Sequence, residues 1–375
     1  MSMINRIDRV NQLAERQRAA GLDAIALIPG PNLLYFTGAR MTHPSERPVV
    51  VLLFARAGTP ARVILPAFEA PGFAKDSPLE AVATTYLDGQ SYAAVFADGL
   101  ADLRGRPLRI GVEPTGMRFL EMELLRHALP GVELVSAGAE LEALRIRKSP
   151  AEVDAIRRAI ALTERVLAET LEEMKPGMTE RQVASLLHEK ASRHGGQPSF
   201  PALIQAGSNA AFPHGEAGDR MLAAGEMVLM DFGYYVGDYP SDITRTVSLG
   251  EPPAELRKVY EVVKTANAAA RAAVRPGARA GDIDAAARGV IEAAGYGRFF
   301  THRTGHGLGL EIHEPPYMSA ANPLVLEPGM VFTIEPGIYV EGLGGVRIED
   351  NIVVTETGGE SLTTFTRDLL TLRNV

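Results

Sequence analysis

The sequence predicts an α/β (α+β) protein built from two domains, and three observations carry that expectation. The first 145 residues alternate apolar, strand-like runs with helical stretches, the pattern of a sheet covered by helices. The chain is 375 residues long, more than one hydrophobic core ordinarily serves. The remainder repeats itself: MKPGMTERQVASLLHEKASRHGG (174–196) resembles VRPGARAGDIDAAARGVIEAAGYG (274–297), and MDFGYYVGD (230–238) resembles IEPGIYVEG (334–342), at offsets of 100 and 104 residues. Each half then reads helix, helix, strand hairpin, and matching halves are expected to form one pseudo-twofold unit.

Taken in order, residues 4–20 form an amphipathic helix that leads into the strand AIALI (24–28). PNLLYFTG (31–38) follows, then the strands VVVLLFA (49–55) and ARVILP (61–66). Helices near 90–104 and 117–128 enclose the strand LRIGVE (108–113), and VELVSA (132–137) comes after them. The domain boundary is expected at the next helix, giving an N-terminal domain over 1–145 and a second over 146–375. In RIRKSPAEVDAIRRA, Ser149 stands where a helix cap is needed, Pro150 at the first helical position and Glu152 three residues past the cap. Together these open a helix over about 150–174.

Composition narrows the function. At 46% hydrophobic and 22% charged, with mean hydropathy +0.01, the chain is ordinary for a globular protein. It has no cysteine, which excludes disulfides, thiolate ligands and a cysteine nucleophile and suits the reducing cytoplasm, the expected location. No apolar run reaches the ~18 residues of a membrane span, and the first helix lacks the features of a signal peptide. A net charge of −8 without a basic run argues against nucleic acid as a partner.

The chemistry begins with acids that interrupt apolar strands. In GEMVLMDFGYYVGDYPSDITRTVSLG (225–250), a two-residue turn at Val236 and Gly237 would set Asp231 opposite Asp242, and directly opposed side chains lie about 4.5–5.5 Å apart at Cβ. In MVFTIEPGIYVEGLGGVRIEDNIVV (330–354), an odd loop centred on Gly342 would set Glu335 opposite Glu349. Four such carboxylates repel one another unless cations lie between them, so they are expected to chelate two divalent ions. HRTGHGLGLEIHEPP (302–316) holds three of the eight histidines, and neutral imidazole is a common nitrogen ligand. Glycines on both sides of His306 let the backbone come close. His306 is therefore the expected ligand, with His302, His313 and His214 (in AFPHGE, 211–216) as second-layer or proton-transfer groups. His43, His127, His188 and His194 read as ordinary surface or core histidines.

At these residues the chain resembles the metallopeptidases of the pita-bread fold, which include methionine aminopeptidase, aminopeptidase P and prolidase, and it resembles the proline-specific branch in particular. That branch's order of Asp, Asp, His, Glu, Glu falls on Asp231, Asp242, His306, Glu335 and Glu349. The surrounding words PHG, MDFG, SDITRT, HRTGHGLG, IHEPP, TIEPGIY and VRIED match as well. The resemblance covers about 150–375 and extends more weakly, through PNLLYFTG, to a smaller creatinase-like N-terminal α/β domain. It implies hydrolysis of the Xaa-Pro bond of small peptides by water activated between two divalent ions, manganese first, with cobalt, zinc or iron as the other candidates. It implies proton handling by His214, His302, His313 and Glu335, a role for Arg347 two residues before the last ligand, and a homodimer. Phe212, Tyr317 and Tyr339 are candidate walls for the proline ring, whose tertiary amide offers no N–H to read. The polar loop GARMTHPSERPVV (38–50) is either an exposed connector or a segment whose Arg40, His43 or Arg47 holds the substrate carboxylate. A dipeptidase needs such a clamp; an aminopeptidase must leave that space open. Two other classes share the fold, a creatinase-like amidinohydrolase that works without metal and a non-catalytic binding protein. The intact carboxylates at the ligand positions speak against both.

Overall fold

In the computed structural model, which describes residues 3–41 and 43–372, the chain divides into two compact units, Met1–Arg145 and Ile146–Val375. The first is a six-stranded mixed sheet in the order β4-β3-β2-β1-β5-β6, with β1 (Ala24–Leu27), β2 (Val50–Phe54), β3 (Ala61–Pro66), β4 (Ala81–Tyr86), β5 (Arg109–Val112) and β6 (Glu133–Ser136). Its helices are α1 (Met3–Ala19), α2 (Pro31–Thr37), α3 (Ala70–Asp76), α4 (Tyr92–Gly99), α5 (Phe119–Ala128) and α6 (Gly138–Arg145). Strand β1 is buried along its whole length, which is why it reads as a continuous apolar run rather than an alternation. PNLLYFTG is a helix: Pro31 stands in its first turn, and Gly38 ends it in the left-handed conformation at φ 84°.

The second unit opens on α7 (Pro150–Glu173), whose cap is the reciprocal one expected, Ser149 accepting from the Glu152 N–H and Glu152 from the Ser149 N–H. Then come α8 (Glu180–Arg193), β7 (Gln197–Pro198), β8 (Leu203–Ala206), β9 (Met227–Phe232), β10 (Tyr234–Val236), β11 (Tyr239–Pro240) and β12 (Ile243–Leu249). The second half runs α9 (Ala254–Ala273), α10 (Ala280–Ala293), β13 (Gly305–Gly307), β14 (Glu314–Met318), β15 (Val331–Ile334), β16 (Gly337–Val340), β17 (Gly344–Arg347), β18 (Asp350–Val354), β19 (Gly359–Ser361) and β20 (Thr371–Leu372). The repeat is visible in three dimensions. Thr179 before α8 bridges to Met221 as Arg279 before α10 bridges to Val325. The apolar faces of α7 and α8 bury Val166, Leu167, Val183 and Leu187 with Val228 and Met230 of β9. Those of α9 and α10 bury Val259, Val263, Ile283 and Ala287 with Phe332 and Ile334 of β15. The arrangement is the expected one, an α/β unit followed by a unit made of two matching halves.

The two hairpins differ in how closely they follow the expected registers. The turn between β10 and β11 holds Gly237 and Asp238, since Val236 pairs with Tyr239; Gly237, at φ 68°, takes the first central position that only glycine fills cheaply. The ladder is therefore displaced by two residues from the expected one, and Asp231 pairs with Thr244 instead of Asp242. A displacement of two keeps both acids on one face of the ladder. In the second hairpin, Ile334 pairs with Asp350 and Gly337 with Arg347. One register thus runs through the gap and brings Glu335 opposite Glu349, as expected.

Candidate metal centre

Each acid is delivered by a buried strand end. Asp231 closes the apolar run of β9, and Asp242 enters β12 directly after Ser241, whose hydroxyl accepts from the Tyr234 N–H at 3.1 Å. The Asp242 carbonyl accepts from the Asn351 side chain at 2.6 Å. Glu335 follows β15 and Glu349 precedes β18. His306 lies in β13, where the flanking glycines are required by space. A Cβ on Gly305 would stand 1.8 Å from the Thr333 carbonyl oxygen, and one on Gly307 would stand 2.3 Å from that of Pro315.

The five side chains converge. Ligand-capable atoms of Asp231, Asp242 and Glu349 lie within 4.8 Å of one another, as do those of His306, Glu335 and Glu349 and those of Asp242, His306 and His313. Asp231 Oδ1, Asp242 Oδ1 and Glu349 Oε1 are buried without a hydrogen-bond partner, an expensive arrangement for a carboxylate unless a cation satisfies it. The His306 tautomer says the same. Nδ1 lies 3.2 Å from the Gly307 carbonyl and must donate to it. The Nε2 lone pair therefore faces Asp242 Oδ2 at 3.5 Å and Glu335 Oε1 at 3.4 Å. Lone pair against carboxylate is repulsive; a cation among them turns all three into ligands. The donor set of four carboxylates and one imidazole fits a hard-to-borderline divalent ion.

The remaining polar groups hold this cluster. Arg347 is fully buried, donates to Asp231 Oδ2, to Thr244 Oγ1 at 3.1 Å and to the Tyr339 hydroxyl at 2.8 Å. That hydroxyl lies 2.8 Å from His302 Nε2, and His302 Nδ1 lies 2.7 Å from the Arg303 carbonyl. The donors run one way along this chain, Arg347 to Tyr339 to His302 to the carbonyl, so both imidazole nitrogens of His302 are engaged. Burial, followed by the Arg347 charge, pushes His302 down to about 4, and it stays neutral near pH 7. His302 thus braces this chain, the second-layer half of its expected role, and it also lines the cavity on the cluster. Tyr339 is a buried link in the same chain and lies outside the cavity lining, a correction to its expected place as a wall.

A cavity of about 440 Å³ opens on the cluster. His214, His313 and Arg347 line it, together with Arg303, Phe200, Leu203 and Ile312, four residues the sequence did not single out. His214 and His313 are the exposed members, and the ring of His313 stands edge-on to His306 with centroids 4.2 Å apart. Phe212 is 59% exposed and lies outside the cavity lining, as does Tyr317, which stacks with the Arg303 guanidinium at 4.4 Å. In the first unit, Arg40 and His43 are exposed and Arg47 is engaged by both oxygens of Asp88 at 2.8 and 2.9 Å. His188 faces the Tyr234 hydroxyl at 3.3 Å and His194 faces Glu169 at 3.0 Å, structural roles as expected for both.

Without a cation, burial raises Asp242 well above the carboxylate range, with the Glu349 charge next in effect. Glu349 is raised likewise by burial and then Glu335, and burial lifts Glu335 to about 7. A carboxyl that holds its proton more tightly when folded destabilises the cation-free fold as pH rises from its unfolded pKa to its folded one, because the unfolded chain then gives up the proton first. Ligation demands the opposite, since the cation binds the deprotonated form. The melting temperature of the metal-loaded protein is therefore expected to pull away from that of the stripped protein as pH rises from 5 to 7.5 in calorimetry. A constant gap would take these carboxylates out of the metal site.

Residues 154–356 match the model of metallopeptidase family M24, and residues 9–147 match the creatinase/prolidase N-terminal domain. The probable dipeptidase PepE of Mycobacterium tuberculosis is 39% identical over 354 residues, covering 94% of this chain and 92% of its own. Among solved structures, dipeptidase PepE from Mycobacterium ulcerans superposes with a TM-score of 0.89 at 37% identity over 99% of both chains. Xaa-Pro dipeptidase from Bacillus anthracis does so with 0.88 at 31% identity over 98% of this chain and 100% of that one.

Proposed function

Because the chain belongs to metallopeptidase family M24, and so is a hydrolase of peptides that works with divalent metal, we propose that it cleaves the Xaa-Pro bond of small peptides at a two-ion centre held by Asp231, Asp242, His306, Glu335 and Glu349. The observation that carries this reading is the set of buried, partnerless carboxylate oxygens on Asp231, Asp242 and Glu349, beside a His306 nitrogen that faces the other Asp242 oxygen and Glu335. Asp242, His306 and Glu349 each belong to two of the ligand triads, so the five side chains form one connected cluster. When bound, such ions lower the pKa of a water and polarise the carbonyl it attacks; manganese is the first candidate.

The protein supplies the rest. Glu335, at the cavity beside His306, would take the proton of the attacking water and return it. His214 and His313, exposed at the cavity wall, would donate to the developing oxyanion and to the departing nitrogen. Arg347 holds Asp231 in place through its Oδ2. The apolar wall of Phe200, Leu203 and Ile312 accepts an apolar side chain by shape, and the relative named for Xaa-Pro cleavage supports proline after the scissile bond.

The test is hydrolysis by metal-stripped protein reloaded with manganese or cobalt, using an Xaa-Pro dipeptide, an Xaa-Pro-Yaa tripeptide and an Xaa-Ala dipeptide. Cleavage of the proline peptides alone supports the proposal, and the dipeptide-to-tripeptide ratio separates dipeptidase from aminopeptidase. Equal cleavage of Xaa-Ala would remove the proline specificity. His214→Ala and His313→Ala are each expected to retain metal, read by elemental analysis, and to slow turnover by about 10²–10⁴-fold. Loss of metal from either would make that histidine a ligand.

A further inference from the structure

The segment 206–218 carries His214 into the cavity, and His214 itself makes no hydrogen bond among the described residues. Its position is inherited from the backbone around it. From Phe212 to Gly218 that backbone has no regular structure beyond a turn, so something other than a ladder must hold it.

Glu180, the first residue of α8, is completely buried. One of its oxygens accepts from the Ala206 N–H at 2.8 Å and the Asn209 side chain at 3.0 Å. The other accepts from the Gly218 N–H at 3.0 Å. A single carboxylate thus ties the first residue of the segment to the last and closes it into a ring. The α8 backbone reinforces the closure, with the Arg181 N–H donating to the Gly218 carbonyl at 3.0 Å and the Glu180 N–H to that of Arg220 at 3.0 Å. Inside the ring the buried Gln205 amide donates to the Phe212 carbonyl and, at 3.0 Å, to that of Gly215, one on each side of Pro213-His214.

We infer that Glu180 is a positioning residue for the reaction: its carboxylate clamps both ends of the 206–218 loop and so fixes His214 against the substrate. An acid at the start of a helix ordinarily answers the free N–H groups and dipole of its own helix. This one is turned to another segment, and each of the three partners given above is an N–H donor. The amide of a glutamine would put its own N–H groups against some of those donors, leaving buried groups unsatisfied. A displacement of about 1 Å at a catalytic group costs on the order of 10²-fold in rate.

The inference rests on the role proposed for His214, and the experiment separates the two. With manganese-loaded protein and Ala-Pro as substrate, Glu180→Gln is expected to lower kcat/KM by about 10²-fold with metal content unchanged. In the His214→Ala background the same change is expected to have no further effect. Amide hydrogen exchange over 207–217 should accelerate in Glu180→Gln. Should that variant fold poorly, Asn209→Ala removes one donor and leaves the carboxylate its two backbone bonds; a smaller loss, masked equally by His214→Ala, is expected. Wild-type kcat/KM in Glu180→Gln would overturn the inference, and so would a loss that multiplies with that of His214→Ala, which would make Glu180 a general stabiliser. A fully active His214→Ala would overturn the role of His214 and this inference together. A slow His214→Ala beside an unaffected Glu180→Gln would sink only the clamp.

Discussion

Asp242→Asn and Glu349→Gln are each expected to lower kcat/KM by at least about 10³-fold, about 4 kcal/mol of barrier, and to reduce bound metal. The fold should survive. Both replacements preserve shape and remove a charge that burial disfavours in the cation-free state. The stripped variants are therefore expected to melt at or above the stripped wild type, while the metal-loaded variants melt below the metal-loaded wild type. This inversion is the decisive reading, because a carboxylate with a structural partner would lower both curves. Elemental analysis and calorimetry on one preparation suffice, and a variant that keeps both its metal and its rate removes that residue from the ligand set.

The second large effect is on stability. Arg245, in β12, is 2% exposed. Its guanidinium reaches Asp350 Oδ1 at 2.9 Å and donates to the carbonyls of Thr244, Phe365 and Thr366 at 2.9 Å, and to that of Glu349. It joins the β12 and β18 halves of the site to the C-terminal segment. Arg245→Met withdraws a buried donor from those carbonyls, of which that of Thr244 keeps the Glu349 N–H at 3.1 Å, and leaves Asp350 to Arg367 at 2.6 Å; breaking a buried pair from one side costs about 3–5 kcal/mol. For a unit of this size that lowers the melting temperature by roughly 6–20 °C. Arg245→Lys is expected to recover little, because one ammonium cannot span acceptors arranged for a planar fork. A shift below about 2 °C in the methionine variant would show that the network relaxes around the gap.

These two cases also mark what the sequence could and could not reveal. Asp242 was legible because an acid beside an apolar strand has few explanations, and four of them in two related hairpins have fewer. Glu335 and Glu349 were legible down to their pairing, since a loop centred on Gly342 admits one register. The register of the first hairpin was not, because Val236-Gly237 and Gly237-Asp238 are both plausible two-residue turns and only tertiary packing chooses between them. Strand β4 was missed because most of AVATTY is exposed or half-buried at a sheet edge, which erases the periodic signal. Phe200, Leu203 and Ile312 look like any core residues in one dimension. Glu180 looks like a helix-start acid, and Arg245 like one more strand arginine, until the segments they hold are brought beside them.

The crowding around β13 bears on anyone who wishes to redirect this catalyst toward new substrates. A methyl group at position 305 or 307 has nowhere to go, and at 309 it would stand 2.2 Å from a Glu314 carboxylate oxygen. Mutational libraries gain least by sampling 305 and 307, where the obstacle is backbone and not the end of a side chain. The more tolerant ground is at Phe200, Leu203 and Ile312, which line the same cavity and are none of them fully buried.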